Sequence, residues 1–162
     1  MLTLNGLADL KRHVGEPLGT GAWLQVSQPA IDEFAQLTGD EQWLHVDPER
    51  AARGPYGMTI AHGYLVLSLL PKLAASAYAI EGARARINYG LERVRFPSPV
   101  RSGSRVRVTS TLTEVTPTPQ GARVIVHNII ETDDSDKPAC IADTVSLLVF
   151  DEPTTSEEGS DA

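Results

Sequence analysis

Residues 63 to 80 read GYLVLSLLPKLAASAYAI, an apolar run of helix length in which Lys72 is the only charged residue. Apolar side chains would lie on nearly every side of a helix formed by this run, which predicts a buried helix. Pro71 has no backbone N–H, so we expect it to kink the helix or to remove one of its hydrogen bonds. The rest of the chain must therefore provide a layer that covers this helix.

Strand-like alternation follows the apolar run. Four segments are predicted to be strands: 84–96, 105–115, 122–132 and 139–150. The turn-forming clusters FPSPVRSGS, TPTPQG and DDSDKP separate them. In RVRVTSTLTEV, apolar residues share one side and arginines and threonines take the other, which indicates a sheet with one covered face. The predicted fold class is α+β, with a sheet curled around a central helix.

The first half of the chain contains shorter elements. Residues 21–27 alternate well enough for a strand, and Ser27 is predicted to cap a helix that ends at Gly39. A second, very short helix is expected in DPERAARG, where Asp47 is the cap and Gly54 the stop.

The length and the charge of the chain limit its possible domain organisation. With 162 residues, it is most simply one domain over residues 1–150, followed by an acidic tail over residues 151–162 that is predicted to be disordered. The tail holds five acids and no base, so most of the net charge of −7 belongs to it. No basic stripe is present, which argues against a nucleic-acid partner.

Cysteine usage and hydropathy indicate a cytoplasmic protein. Cys140 is the single cysteine, which excludes an internal disulfide and a cysteine-rich metal site. The N-terminus does not resemble a signal peptide, and the most apolar run, residues 64–70, is too short to span a bilayer. We therefore expect no membrane partner.

The segment TGDEQWLHVD, residues 38–47, combines acids, an aromatic residue and a histidine. A purely structural explanation exists, because Asp47 can be a helix cap, Asp40 a turn former and His45 a surface histidine. The following segment, GPYGMTIAHGYLVLS, favours a functional explanation. Here a loop with Tyr56 enters the apolar helix at Gly63, whose N–H is left free at a helix start and suits an oxyanion.

An acid, an imidazole and an oxyanion donor are the parts needed to add or remove water next to a carbonyl. Metal binding by His45, Asp47 and His62 is a weaker alternative, because Asp47 is already explained as a cap. A serine hydrolase is weaker still, since the chain has no G-x-S-x-G motif. We expect no metal and no cofactor.

The pattern D-x-x-x-x-H followed by D-P, and then Y-G-x-x-I-A-H-G at the start of an apolar helix, resembles the MaoC-like (R)-specific enoyl-CoA hydratases of the hotdog fold. The longer match TGDEQWLHVDPERAARGPYGMTIAHG, with INYGLERVRFPSPV downstream, resembles the nodulation-protein-N-type subgroup. This resemblance implies a single hotdog unit, in which a curved antiparallel sheet wraps around a long central helix. It also implies a homodimer that acts on acyl-CoA thioesters.

The same resemblance assigns roles to residues. Asp40 and His45 would activate the water that adds to C3 of a trans-2-enoyl thioester, and the Gly63 N–H would hold the thioester oxygen. Which of Asp40 and His45 is the base stays open. A thioesterase and a non-catalytic acyl-binding subunit are the alternative functions.

Four further residues are predicted to contact substrate: Trp43, Tyr56, Asn88 and Gly90. Many relatives have Asn-Pro at residues 42–43, so Trp43 either shortens an acyl tunnel or packs the loop onto the core. Asn88 and Gly90 interrupt a strand, which indicates either close approach of a ligand or a bulge.

Overall fold

The computed structural model describes residues 1–150, so the predicted tail at residues 151–162 lies outside the described residues. Within this range the chain forms eight strands and six helices. In chain order they are β1 Leu2–Asn5, α1 Gly6–Arg12, β2 Pro17–Thr20, β3 Leu24–Gln25, α2 Gln28–Thr38, α3 Trp43–Val46, α4 Pro48–Ala52, α5 Gly63–Ser68, α6 Leu70–Ala74, β4 Tyr78–Glu81, β5 Ala83–Arg95, β6 Arg105–Thr118, β7 Gly121–Thr132 and β8 Ser135–Phe150.

The main sheet is antiparallel, with the strand order β2-β6-β7-β8-β5 and with β3 paired to β6. One face of this sheet packs against α5 and α6. In β7, for example, every second residue from Ala122 to Thr132 is buried, as the predicted covered face requires. The α+β class and the four long strands are confirmed.

The central helix differs from the prediction in length and continuity. The prediction extended it to residue 80, whereas α6 ends at Ala74 and residues 78–81 form β4, which pairs in parallel with β1. The helix is also divided at Leu69, where α5 ends and α6 begins. Pro71 lies in the first turn of α6, where its missing N–H costs no intrahelical bond.

The predicted burial of this helix holds for one of its sides only. Leu65, Val66 and Leu73 face the core, whereas Tyr64 is 71% exposed and Ser68 is also exposed. Apolar residues of the segment 63–80 therefore lie on two sides of the helix. One side faces the core, and this chain alone leaves the other side exposed. Within residues 1–150, none of the helices has the length and apolar character needed to cross a membrane.

Two strand boundaries also differ from the prediction. β6 continues to Thr118 and pairs there with Gly121, and Thr132 of β7 pairs with Ser135 of β8. Each hairpin therefore closes through two residues, and the strands extend into segments that turn-forming composition had predicted as loops. Of the strand predicted at residues 21–27, only Leu24–Gln25 pairs with β6.

The predicted helix caps are confirmed. The Ser27 hydroxyl accepts a hydrogen bond from the N–H of Ala30, and the Asp47 carboxylate accepts one from the N–H of Arg50 at 3.0 Å. Gly39 ends α2 with a φ of 75°, a left-handed conformation that glycine adopts without strain. These caps fix both ends of the segment that carries Asp40 and His45.

Gly21 allows the loop before β3 to pack directly on the end of the central helix. A Cβ at this position would lie 2.5 Å from the carbonyl oxygen of Leu73. We expect Gly21→Ala to lower the free energy of unfolding by about 1–3 kcal/mol, because backbone atoms would have to move apart. Urea denaturation measures the change.

Gly90→Ala is the matched control, since a Cβ there would meet nothing within 4 Å. It should change stability by less than about 0.5 kcal/mol. Equal effects of the two substitutions would contradict the packing explanation.

Candidate active site

Three segments converge at the start of the central helix. Asp40 follows the end of α2, His45 lies in α3, and His62 directly precedes α5. A carboxylate oxygen of Asp40 and ring nitrogens of His45 and His62 all lie within 4.8 Å of one another. Both histidines are buried and Asp40 is half-buried, so the structure brings together the two residues that the sequence predicts as the catalytic pair.

Hydrogen bonds fix the orientation of His45. Its Nδ1 lies 2.7 Å from the carbonyl oxygen of Ile60, which can only accept. Nδ1 therefore carries the proton, and in the neutral ring Nε2 has a free lone pair. The backbone carbonyl of His45 accepts a hydrogen bond from the Gln28 side chain at 2.7 Å. The arrangement leaves Nε2 of His45 available as a proton acceptor.

His62 connects the other two residues. Its ring stacks on that of His45 with centroids 3.7 Å apart, and Phe34 lies 5.1 Å from it. Nε2 of His62 donates to the backbone carbonyl of Asp40 at 2.8 Å, which ties the segment after α2 to the start of α5. Nδ1 of His62 is buried and has no hydrogen-bond partner among residues 1–150.

The surroundings of His45 lower its pKa below the usual value. Burial is the largest cause, because it disfavours the charged imidazolium, and the nearby His62 acts in the same direction. The hydrogen bond to Ile60 and the carboxylate of Asp40 act in the opposite direction and only partly offset this. His45 is therefore neutral at pH 7, as a general base must be.

Gly63 is the first residue of α5, so its N–H has no carbonyl partner within the helix. The same residue also serves packing, since a Cβ there would lie 3.0 Å from the ring of Phe96. Glycine at this position keeps the helix start open to a ligand and admits the Phe96 ring.

The acid beside the two histidines is Asp40, not the Asp47 of the metal alternative. Asp47 is engaged as the cap of α4 through its bond to the Arg50 N–H. Asp40, His45 and His62 could in principle hold a metal ion, because each offers one ligand atom within the same 4.8 Å. The metal hypothesis therefore involves a different carboxylate from the one that the sequence suggested.

Trp43 is the first residue of α3, and Tyr56 lies between α4 and α5. Arg50 stacks on the Trp43 ring at 4.6 Å, and a Cβ at Gly54 would lie 2.9 Å from that ring. These contacts join Trp43 to α4 and to the residues that follow it, and a substrate contact of Trp43 stays a prediction. Tyr56 is 38% exposed, and its carbonyl accepts a hydrogen bond from Arg101 at 3.2 Å.

Asn88 and Gly90 lie elsewhere, along the central helix. They line a cavity of about 460 Å³, the near cavity, whose walls are Leu67, Ser68, Leu70, Pro71, Asn88, Tyr89, Gly90, Leu91, Thr144 and Val145. Trp43 and Tyr56 are absent from its walls. The β5–β8 register shifts between Asn88 and Gly90, so the predicted bulge is present, and substrate contact by these two residues stays a prediction.

Sequence reasoning missed three contributors to the site. Gln28 donates a hydrogen bond to the backbone carbonyl of His45, and the Ile60 carbonyl fixes the His45 tautomer. Neither the residue types nor their positions in the sequence indicate these roles. His62 was considered only as a metal ligand, although its place in the A-H-G motif before the helix was the available signal.

Comparisons with known proteins agree with this arrangement. The family model described as the MaoC like domain matches residues 9–133. The 3-hydroxyacyl-thioester dehydratase Z of Mycobacterium tuberculosis is 47% identical over 150 residues, which cover 92% of this chain and 99% of that protein. The chain belongs to the MaoC-like dehydratase family.

Two further similarities support this assignment. Nodulation protein N of Rhizobium leguminosarum bv. viciae is 42% identical, covering 90% of this chain and 92% of that protein. An unliganded R-hydratase from Pseudomonas aeruginosa superposes with a TM-score of 0.70 at 22% identity, covering 85% of this chain and 83% of that one. The hotdog fold and the hydro-lyase class expected for this MaoC-like dehydratase are thus confirmed.

Replacing His62 should raise the pKa of His45. A positive charge on His62 disfavours protonation of His45, so His62→Gln removes one cause of the lowered pKa. NMR titration of the His45 ring should give a midpoint at higher pH in the variant than in the wild type. The acidic limb of a pH–rate profile should move in the same direction.

His127→Gln is the control, because His127 bonds to Asp143 in the strands rather than to the site. It should leave the His45 titration unchanged. An unchanged or lowered pKa of His45 in His62→Gln would contradict the coupling.

Proposed function

We propose that this MaoC-like dehydratase is an (R)-specific enoyl-CoA hydratase, which adds water to trans-2-enoyl-CoA to give (R)-3-hydroxyacyl-CoA. The observation that carries the proposal is the buried, neutral His45, which has a ring nitrogen within 4.8 Å of an Asp40 carboxylate oxygen beside the start of α5. A water held between an acceptor nitrogen and a carboxylate is a nucleophile, and its reaction partner must lie near the helix start.

The proposed reaction uses three groups. Asp40 and His45 hold the water, and His45 Nε2 accepts one of its protons as the oxygen bonds to C3. The electron pair of the C2–C3 double bond moves toward the thioester carbonyl, whose oxygen gains negative charge. The N–H of Gly63 stabilises this oxyanion, and the proton on His45 is then transferred to C2. One water is consumed and His45 returns to its neutral form.

The same groups catalyse the reverse elimination, because a reaction and its reversal share one transition state. A relative's name, 3-hydroxyacyl-thioester dehydratase Z, describes that direction for that protein. We propose hydration of CoA thioesters as the assay direction, since loss of the conjugated enoyl absorbance is easily followed.

A homodimer is part of the proposal. β5 is an edge of the main sheet, and three of its apolar side chains, Ile87, Tyr89 and Leu91, are 49%, 67% and 47% exposed. An exposed, apolar and long edge strand is a surface on which another strand pairs. Tyr64 on α5 and Phe96 after β5 extend this apolar surface towards the site.

We propose that the enzyme acts in the cytoplasm and without a cofactor. Cys140 is a buried free thiol, and burial raises its pKa to about 11, so it is an inert core residue that suits a reducing compartment. The proposed reaction needs proton transfer and one oxyanion donor, and these groups are within the protein.

Asp40→Asn and His45→Gln should each lower kcat by about 10²–10⁴-fold, since each removes one partner of the attacking water. The rate of absorbance loss with crotonyl-CoA and with a longer trans-2-enoyl-CoA measures this, and chiral analysis identifies the product. Both variants should keep the wild-type melting temperature within a few degrees, because Asp40 is half-buried and the exchange at residue 45 conserves size.

Other outcomes would point to the alternative functions. Release of free thiol without hydration would indicate a thioesterase, and binding without turnover would indicate an acyl-binding subunit. Removal of divalent cations by a chelator should leave turnover unchanged. A loss of activity that an added cation restores would instead assign Asp40, His45 and His62 to a metal site.

Ile87→Asp should weaken the proposed dimer, because it places a charge on the exposed edge strand. Light scattering after size-exclusion chromatography should give twice the monomer mass for the wild type and a monomer for the variant. Val14→Asp is the control, since Val14 is similarly exposed, at 43%, but lies just before β2, the strand at the opposite end of the sheet order from β5. A wild type that stays monomeric at all concentrations would refute the dimer.

A further inference from the structure

Polar side chains form a row across the core face of the sheet, beneath the central helix. Ser110 of β6 donates to Asn128 of β7 at 2.8 Å, and Asn128 donates to Thr144 of β8 at 3.1 Å. Ser146 of β8 lies opposite Asn88 of β5. The row therefore crosses four neighbouring strands.

Three members of this row lie deep in the core, whereas Thr144 is half-buried and Asn88 at the β5 end is exposed. Ser110, Asn128 and Ser146 are 0%, 3% and 4% exposed. Residues two positions along the same strands are apolar and buried, such as Val108, Val126 and Leu148. Hydroxyl and amide groups lose hydration when they are buried, so apolar residues would serve the fold at least as well.

The row opens into a second cavity, the far cavity, of about 490 Å³. Its walls include Leu70, Pro71, Tyr78, Arg86, Asn88, Asn128 and Thr144. Four of these residues also line the near cavity: Leu70, Pro71, Asn88 and Thr144. The two cavities are therefore neighbours along the helix, and the far one brings a cation and several hydrogen-bonding groups to its surface.

Arg86 is the cation of the far cavity, and its partners are weak. Its guanidinium lies 3.4 Å from the Tyr78 hydroxyl and 3.4 Å from the Ser146 hydroxyl, both longer than a typical hydrogen bond. Among residues 1–150, no carboxylate lies within ion-pair distance of it. Arg93 and Arg123, which belong to the same sheet, do have carboxylate partners.

The rise of an ideal helix gives an approximate distance between the proposed reaction centre and the far cavity. Along a helix, the eight residues from Gly63 to Pro71 correspond to a rise of about 12 Å. An extended chain advances about 1.2 Å per bond, so about ten bonds separate a thioester carbon near Gly63 from this depth. A medium-length acyl chain would traverse the near cavity and end in the far one.

Resting on the hydratase function proposed above, we propose that the far cavity binds a carboxylate at the distal end of the acyl chain. Arg86 provides the paired cation, and Tyr78 and Asn88 provide further hydrogen-bond donors. The substrate class is then a medium-chain trans-2-enoyl thioester that ends in a carboxylate. A planar guanidinium matches a carboxylate in both charge and shape.

A methyl end would leave these groups unmatched. It would displace water from the guanidinium and from the polar row without replacing the hydrogen bonds, which disfavours binding. The subsite therefore discriminates between chain ends and leaves the reaction at C2 and C3 unchanged.

The test compares three substrates in the same assay: crotonyl-CoA, trans-2-dodecenoyl-CoA and trans-2-dodecenedioyl-CoA. Crotonyl-CoA is too short to reach the far cavity, so it reports the reaction alone. For the wild type we expect kcat/KM to be about tenfold or more higher with the dicarboxylic chain than with the methyl-ended chain of equal length.

Arg86→Met should abolish this preference and keep the wild-type rate with crotonyl-CoA, which also establishes that the variant is folded. Arg86→Lys should keep part of the preference, because it retains the charge but not the planar fork. Lys72→Met is the matched control. Lys72 is an exposed cation on α6 that does not line the far cavity, so the preference should persist in that variant.

The outcomes separate this inference from the function on which it rests. A wild type that hydrates crotonyl-CoA but does not prefer the dicarboxylic chain would overturn the inference and leave the proposed function intact. A preference that survives Arg86→Met would also overturn it. A wild type that hydrates none of the three substrates would overturn both.

Discussion

The arrangement of the site depends on two contacts of His62, one with His45 and one with Asp40. The His62 ring stacks on His45 and donates a hydrogen bond to the Asp40 carbonyl. One side chain therefore fixes the start of the central helix relative to both ends of the segment from Asp40 to His45. His45 is in turn fixed by the Ile60 carbonyl. Burial of the His45 ring lowers its pKa, so the packing that orders this segment also keeps the imidazole neutral at pH 7.

Local features of the sequence predicted the parts of the structure that depend on local interactions. Ser27, Gly39 and Asp47 act as caps in the structure because capping involves residues within three or four positions of each other. The long strands were predictable from the alternation of apolar and polar residues, which is also a local pattern. These elements place Asp40 and His45, and so the candidate pair was predictable from one short segment.

The structural features that the sequence did not predict depend on contacts between distant segments. Residues 78–81 leave the predicted helix because β1, more than seventy residues earlier, offers a parallel partner. The tautomer of His45 depends on the carbonyl of Ile60, and any residue type carries a carbonyl. Likewise, Ser110, Asn128 and Thr144 belong to three different strands, and only the register of the sheet brings them together.

β5 links the two proposals that extend beyond the site. Ile87 is exposed on this edge strand, whereas Arg86 and Asn88 on either side of it line the far cavity. A partner strand paired along β5 would therefore hold the backbone that positions Arg86 and Asn88. Assembly and chain-end recognition would then depend on the same strand, and loosening of the dimer would weaken discrimination between chain ends before it affected proton transfer at His45, which is held by α3 and the Ile60 carbonyl.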